Sequence, residues 1–373
     1  MKLPQDDRQK LLRLLDDVAS SIEELLLTGL TTASKSTRQT LDVSFREASR
    51  MRLLRLGSTL RASNEELGRF TDKDPRFSAK RLTFFLNRAW MLCRGLSHAL
   101  AENDEDEFDR LLWVPATEPV KKLELVTVGV SKKEVQNAYC AFEFRFRTLS
   151  KSGKRIPKHY RLVWSCIFPI KPGTEIPAEG FLHLPQRQKF KASDLMEGNK
   201  ITIQNCAVAV DDFGGGRISL NEKSTVETGE AFTDWESLFH WDLESAIKRI
   251  EQHETSPFDL DIEMQEEVMF DQWTMEAKID QGREGQNVYP LSANGLHLDA
   301  VVSQANEGKA LRKKLDGYRK KKTRPTIFGL MHYEMCRLIF QPLTVFEPDG
   351  PVHLMISEDK IDRAALLQTL KFT

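Results

Sequence analysis

Leu11, Leu14, Leu15, Val18, Ile22, Leu25 and Leu26 recur at the spacing of one helical face. After a polar break at 31–36, the same period continues through Leu41, Phe45, Leu53, Leu56, Leu60 and Leu67. Thr71-Asp72-Lys73-Asp74-Pro75 interrupts it, because proline lacks an N–H and disfavours helix at the residue before it. Leu82, Phe85, Leu86, Ala89, Leu92 and Leu96 then predict a helix from Ser78 to Ala101. The acidic run 103–107 ends this module or opens a short helix to Leu112. The pattern predicts a helical bundle over residues 1–115.

From Pro119 the period shortens to two. Cys140, Phe142, Phe144 and Phe146 fall on one face of a strand, and Ala141, Glu143, Arg145 and Arg147 on the other. A turn at 150–155 leads to a second strand carrying Tyr160, Leu162, Trp164, Cys166 and Phe168 on one face. Pro169, Pro172, Gly173 and Pro177 punctuate a loop. Further strands are predicted over Gly180–Leu184, Lys200–Val210 and Arg217–Leu220, the last two flanking a glycine-rich hairpin loop at 211–216. Many short strands without intervening helices predict a small β-rich, OB-like barrel or sandwich over 119–228.

Residues 230–373 read as mixed α+β. Phe232, Trp235, Phe239, Leu243, Ala246, Ile247 and Ile250 form a helical stripe, with a kink expected near Trp241. The acidic stretch from Phe258 to Ile279 suits paired strands, and 281–286 a loop. A basic helix follows at 309–321, then a hairpin of 326–334 with 337–346, and a short strand at 352–356. Ser357, ahead of Glu358 and Asp359, is placed to cap a last helix. No internal repeat at a fixed period is visible. The fold class expected is α+β, in three domains: 1–115, 119–228 and 230–373.

Composition changes this picture little, but charge changes it substantially. The formal net charge is −1, yet residues 227–284 hold 17 acidic and four basic side chains, and 309–324 hold nine basic and one acidic. No stretch approaches the ~18–20 apolar residues of a membrane span. The first seven residues lack a secretory pattern, so a cytoplasmic protein is expected. The five cysteines, Cys93, Cys140, Cys166, Cys206 and Cys336, are odd in number and widely spaced, which suits buried thiols rather than a disulfide framework.

No catalytic constellation emerges. Asp212-Phe213-Gly214 spells the kinase metal-binding triplet without the other kinase motifs. Gly153-Lys154 lacks the first glycine of a phosphate loop, Thr148 standing in its place. His332 with Cys336 and Cys93 with His98 are loose pairs, not a four-ligand zinc set. No enzyme, metal or cofactor is expected.

The basic residues carry the candidate site. Arg145, Arg147, Lys151, Lys154, Arg155, Lys158 and Arg161 surround one hairpin beside Tyr160. Lys309, Arg312, Lys313, Lys314, Arg319, Lys320, Lys321, Lys322 and Arg324 form the dense run, with Tyr318 among them. Such a set suits nucleic-acid phosphates, an acidic protein partner, docking on the chain's own acidic region, or a solvated face that serves solubility alone. In the bundle, Arg46, Arg50, Arg61, Arg69, Arg81 and Arg88 have Glu65 and Glu66 as internal partners, which favours a salt-bridge network over a ligand site.

The segments 52–61, 64–70 and 77–90 of the bundle resemble a family of uncharacterised bacterial proteins encoded beside SWIM zinc-finger proteins, MoxR-type AAA+ ATPases and von Willebrand A-domain proteins. The C-terminal segment Leu338–Phe346 is similar to the ends of those proteins. The resemblance covers about a third of the chain. It implies a component of an ATPase-associated system in stress or conflict with invading DNA, and no catalytic residues. The Cys-x-Cys and Cys-x-His pairs of the SWIM finger are absent from this chain. The function expected is a non-enzymatic adaptor, with bacterial protein partners such as an AAA+ ATPase or SWIM zinc-finger protein. The alternative is a nucleic-acid-binding protein, taking DNA or RNA through the barrel hairpin and the 309–324 run.

Overall fold

The computed structural model describes residues 5–30, 35–74, 77–112, 117–135, 139–170, 177–210, 215–238, 242–251, 265–279, 286–304, 308–334 and 337–357. The predicted loop around Pro172, the 211–214 turn with its Asp-Phe-Gly triplet, the kink at Trp241, the loop at 281–285, Pro75, Cys336 and the helix beyond Ser357 lie outside the described residues. Two compact units are present, a helical one within 1–115 and a β-rich one formed by 116–254 and 263–373. The fold class is α+β, as the change of period predicts.

The helical unit consists of α1 (Gln5–Thr28), α2 (Lys35–Arg50), α3 (Leu54–Thr71), α4 (Ala79–Glu102) and α5 (Glu105–Leu112). Leu15, Ile22, Leu56, Leu60, Leu92 and Leu96 meet in its core. The periodic stretch 41–67 is two helices rather than one. Arg52, at φ 61°, turns the chain between α2 and α3. The Ser78 side chain caps α4 by accepting from the Arg81 N–H at 3.3 Å. Glu66 is buried and accepts from Arg69, from Arg81 Nε at 2.9 Å and from the Ser78 N–H at 3.2 Å. Desolvation opposes its ionisation, but these donors hold its carboxyl below the usual range. Of the arginines expected in a network, Arg69 and Arg81 thus meet on Glu66, whereas Arg61 pairs with Glu65, Arg50 with Glu47 and Arg46 with Asp42 as exposed local pairs.

In the β-rich unit, β1 (Thr117–Val135), β2 (Tyr139–Thr148), β3 (Arg161–Pro169), β4 (Asn199–Val210) and β5 (Gly215–Ser219) close into a ring. β1–β2, β2–β3, β5–β4 and β4–β1 pair antiparallel, and β3–β5 pair parallel. Closure depends on the length of β1: Thr117–Leu125 pair with β4 and Leu125–Val135 with β2. This is the five-stranded Greek-key barrel of the OB type. Phe142, Phe144, Phe146, Leu162 and Trp164 fill it from the inward face that the alternation marks. β6 (Thr225–Ala231) adds to β4 outside the ring. The strand expected at Gly180–Leu184 is instead a 3-10 turn, Ala178–His183, which with a second at Ala192–Met196 plugs the barrel with Phe181, Leu182 and Leu195.

A second ring repeats this order. The stripe expected over 232–250 resolves into a 3-10 turn at Trp235–Leu238 and α6 (Leu243–Glu251). β7 (Glu266–Phe270) and β8 (Trp273–Met275) are separated only by Asp271 and Gln272. β9 (Gln286–Ala293), β10 (Leu296–Ser303), α7 (Lys309–Arg319), β11 (Ile327–Glu334), β12 (Arg337–Glu347) and β13 (Gly350–His353) follow. β7 pairs with β11 and β8 with β9, so the two halves of one bent strand close the ring as β1 does. β9–β10 and β11–β12 are antiparallel, and β10–β12 parallel. α7 stands between the third and fourth strands and buries Leu311, Leu315 and Tyr318 in the core. The chain thus contains a topological duplication that no sequence period announces.

The sheets assigned by sequence to separate domains pack in one unit. Val126, Val128, Phe232, Met269, Phe328, Leu330, Leu343 and Phe346 form the seam. A Cβ at Gly129 would lie 2.5 Å from Phe328 Cε1, so only glycine admits this approach.

Candidate nucleic-acid interface

The outward face of β2 and β3 carries Arg145, Arg147 and Arg161 because alternate residues leave the barrel on the side opposite Phe144, Phe146 and Leu162. These arginines do not face solvent. Arg145 Nη1 donates to Glu267 Oε1 at 2.9 Å, and Arg147 donates to the other oxygen of the same carboxylate. Arg161 grips Glu266 with both terminal nitrogens, at 2.8 and 3.3 Å. Arg249 of α6 binds Glu266 from its own side, its Nε at 3.2 Å. Arg145 also pairs with Glu143, and the Arg147 guanidinium lies 5.9 Å from the Phe328 ring centroid.

Glu266 and Glu267 are both buried, at 3% and 6% exposed. Burial alone would raise the Glu267 pKa, but Arg147, Arg145 and Arg161 hold it down at about 2. Burial depresses Arg147 from the usual guanidinium range, and Glu267 opposes that shift. Two glutamates thus occupy the guanidinium face of the first barrel as two phosphates would. The arginines expected to contact nucleic acid are the inter-barrel clamp instead. Docking of basic on acidic groups within the chain, one of the alternatives, occurs between the hairpin arginines and Glu266 and Glu267, whereas Lys321 of the 309–324 run pairs with Glu347.

The remaining predicted residues divide cleanly. Lys151, Lys154, Arg155 and Lys158, in the β2–β3 connection, are exposed, with Arg155 3.3 Å from Glu118. In the 309–324 run, Arg312 donates to the Ser303 carbonyl. Lys314 donates to the carbonyls of His353 and Ile356 at 2.9 and 3.1 Å. Arg324 donates to the Trp273 and Arg319 carbonyls at 3.4 and 3.1 Å, and lies 5.5 Å from the Trp273 ring centroid. These three, with the half-buried Arg319, hold the helix and its exit in place. Lys321 bonds Glu347 at 2.9 Å and covers the Tyr318 ring. Lys309, Lys313, Lys320 and Lys322 are exposed.

Cys93, Cys140, Cys166 and Cys206 are buried. Desolvation raises their thiols, Cys93 and Cys166 to about 12 and Cys140 and Cys206 to about 11. Among the described residues no group of three His, Cys, Asp or Glu side chains is placed to hold a metal ion, and no helix is long and apolar enough to cross a membrane.

No protein-family model matches this chain, and no curated protein matches it. Among solved structures, the Ifi202 HINa domain in complex with 20-bp dsDNA is similar at 11% identity and a TM-score of 0.28, over 64% of this chain and 97% of that one. A structure described as "Molecular basis for abrogation of activation of pro-inflammatory cytokines" is similar at 10% identity and a TM-score of 0.26, over 64% of this chain and 95% of that one. Both superpositions are loose.

Proposed function

We propose that the protein binds nucleic acid through exposed lysines of its two barrels. The surface comprises Lys151, Lys154, Arg155 and Lys158 from the first barrel and Lys320, Lys321 and Lys322 from the second, with Lys309 and Lys313 extending it along α7. The observation that carries this reading is the division of basic residues. The arginines of the hairpin are locked onto Glu266 and Glu267, whereas Lys151, Lys154, Lys158, Lys309, Lys313, Lys320 and Lys322 are exposed and make no ion pair among the described residues. Lysine is a mobile, strongly hydrated point charge, suited to phosphates without sequence preference. Binding of this kind releases counterions and weakens steeply with salt.

The test is fluorescence anisotropy with labelled single- and double-stranded DNA and RNA across a salt series. Reversing Lys320, Lys321 and Lys322 to Glu, alone and with Lys151, Lys154 and Lys158, is expected to flatten the salt dependence by roughly 0.7–0.9 in log–log slope for each phosphate that is no longer neutralised. No binding at low salt, or binding indifferent to both sets of reversals, excludes the reading.

A second reading, the adaptor, draws on a hollow of about 1060 Å³ in the helical unit, lined by Leu11, Met51, Leu53, Leu54, Phe108 and Leu112 and rimmed by charges. Leu54 is 52% exposed there, as expected of a surface that receives a protein side chain. Under this reading the partners are bacterial proteins of an AAA+ ATPase or SWIM zinc-finger system. Co-purification of the full chain with such a partner, abolished in Leu54→Asp, is its test.

A further inference from the structure

The second barrel carries a hollow of about 590 Å³ that shares only Lys322 with the lysine surface. Three pieces of backbone wall it: the Asp271–Gln272 bend that splits the first strand, the β9–β10 turn, and the link from α7 to β11. Asn294 and Gly295 form the turn with φ of 49° and 76°, and a Cβ on Gly295 would meet nothing within 4 Å. The floor is built rather than loose. Trp273 is 5% exposed, its indole N–H donates to the Pro325 carbonyl at 2.9 Å, and Arg324 is fixed above its ring. Arg324 Nε is buried without a partner among the described residues.

The lining chemistry is asymmetric. Lys322 and Arg324 supply two cations from one wall, and Asp271 supplies one carboxylate from another. Asp271 and Lys322 are exposed, and neither makes an ion pair among the described residues. Gln272 and Asn294 add amides that can both donate and accept. A ligand matching this set has an anionic group at one end, hydroxyl donors at the other and a polar planar edge between. Carboxylates take ribose hydroxyls, guanidinium and ammonium groups take phosphate, and side-chain amides read base edges. The volume lies within the range of small-ligand sites.

We propose that this hollow binds one ribonucleotide bearing a free 2′,3′-diol, with its phosphate on Lys322 and its diol on Asp271. Two sources share that chemistry, a free nucleoside 5′-monophosphate and the 3′-terminal nucleotide of an RNA strand. The strand-end version rests on the nucleic-acid reading above; the free-nucleotide version does not.

The experiment uses the full chain and two probes. Calorimetry measures 5′-AMP against 2′,3′-dideoxy-AMP. Anisotropy compares a linear oligoadenylate RNA ending in a 3′-diol with the circular RNA of the same length. Asp271→Asn tests the grip on the diol and Lys322→Ala the grip on the phosphate, both at exposed positions where folding is undisturbed. A tenfold or greater preference for 5′-AMP over its dideoxy form, abolished in Asp271→Asn, supports the free-nucleotide source. A tenfold or greater preference for linear over circular RNA, abolished in Asp271→Asn while circular RNA binds unchanged, supports the strand end. Equal binding of linear and circular RNA with no heat from 5′-AMP overturns the proposal and leaves the lysine surface standing. Absence of all RNA binding removes the lysine reading instead, and 5′-AMP then decides the hollow alone.

Discussion

The two barrels share one strand order and treat positive charge in opposite ways. In the first, Arg145, Arg147 and Arg161 are turned onto Glu266 and Glu267 at the seam. In the second, Lys309, Lys313, Lys320 and Lys322 stand in solvent, Lys314 is held by the His353 and Ile356 carbonyls, and Leu311, Leu315 and Tyr318 plug the barrel. The difference follows the chemistry of the side chains. A planar guanidinium with five donors tolerates burial against a carboxylate, whereas a compact ammonium is better hydrated outside. A count of basic residues along a sequence therefore merges two populations with different work.

The comparison breaks most visibly at Glu267. Glu267→Ala leaves Arg145 and Arg147 buried at the seam without their shared carboxylate, and is expected to cost about 3–5 kcal/mol in chemical denaturation. The triple reversal at Lys320, Lys321 and Lys322 is expected to change stability by only ~0.5 kcal/mol while it abolishes binding at moderate salt. Equal destabilisation by the two changes would erase the distinction drawn between the regions.

Next in size is Gly129→Val, which drives carbon into the Phe328 ring and is expected to cost roughly 1–3 kcal/mol. A destabilisation no larger than that of an exposed strand substitution would show that the seam yields.

Acid sharpens the comparison further. Glu267 has a folded pKa of about 2 against an ordinary 4.5, so its contribution is present above 4.5 and lost as pH falls toward 2. His353 is buried between Thr344 Oγ at 2.9 Å and the Met196 carbonyl at 3.2 Å, joining the second barrel to the plug of the first. Burial and the nearby Lys314 lower its pKa from 6.5 to about 4, while the Met196 carbonyl opposes the shift. The neutral imidazole is the native form, so its contribution is present above 6.5 and lost as pH falls through 4. A denaturation series from pH 7 to 3 is expected to slope downward in two stages, and His353→Gln to remove the earlier one. The smallest effect is chemical: Cys93, Cys140, Cys166 and Cys206 are expected to resist iodoacetamide at pH 8 in the native protein and to react once it is unfolded.

Much of this architecture is legible in the residues. The alternation through Phe142, Phe144 and Phe146 marks both the strand and its buried face, and the helical stripe of Leu11 to Leu26 gives α1. The duplicated barrel is not legible, because a ring of strands requires alternation and length but no particular residues. The first ring sets Phe142, Phe144 and Phe146 on a single strand, whereas the second spreads Phe270, Tyr289, Ala300 and Phe340 over four. Likewise Arg145 and Lys154 look equivalent in sequence. What separates them is Glu267, 122 residues beyond Arg145, and only the fold brings it near. The hollow around Trp273 has no motif at all, since its walls come from three distant segments.

The order of the clamp along the chain has a consequence for synthesis. Arg145, Arg147 and Arg161 leave the ribosome roughly a hundred residues before Glu266 and Glu267, and the barrel that carries them is contiguous and able to close first. During that interval Arg145 keeps Glu143, but Arg147 and Arg161 lack the carboxylates that hold them in the folded protein. The two glutamates are then the last groups to arrive at a clamp whose arginines already stand in a closed barrel.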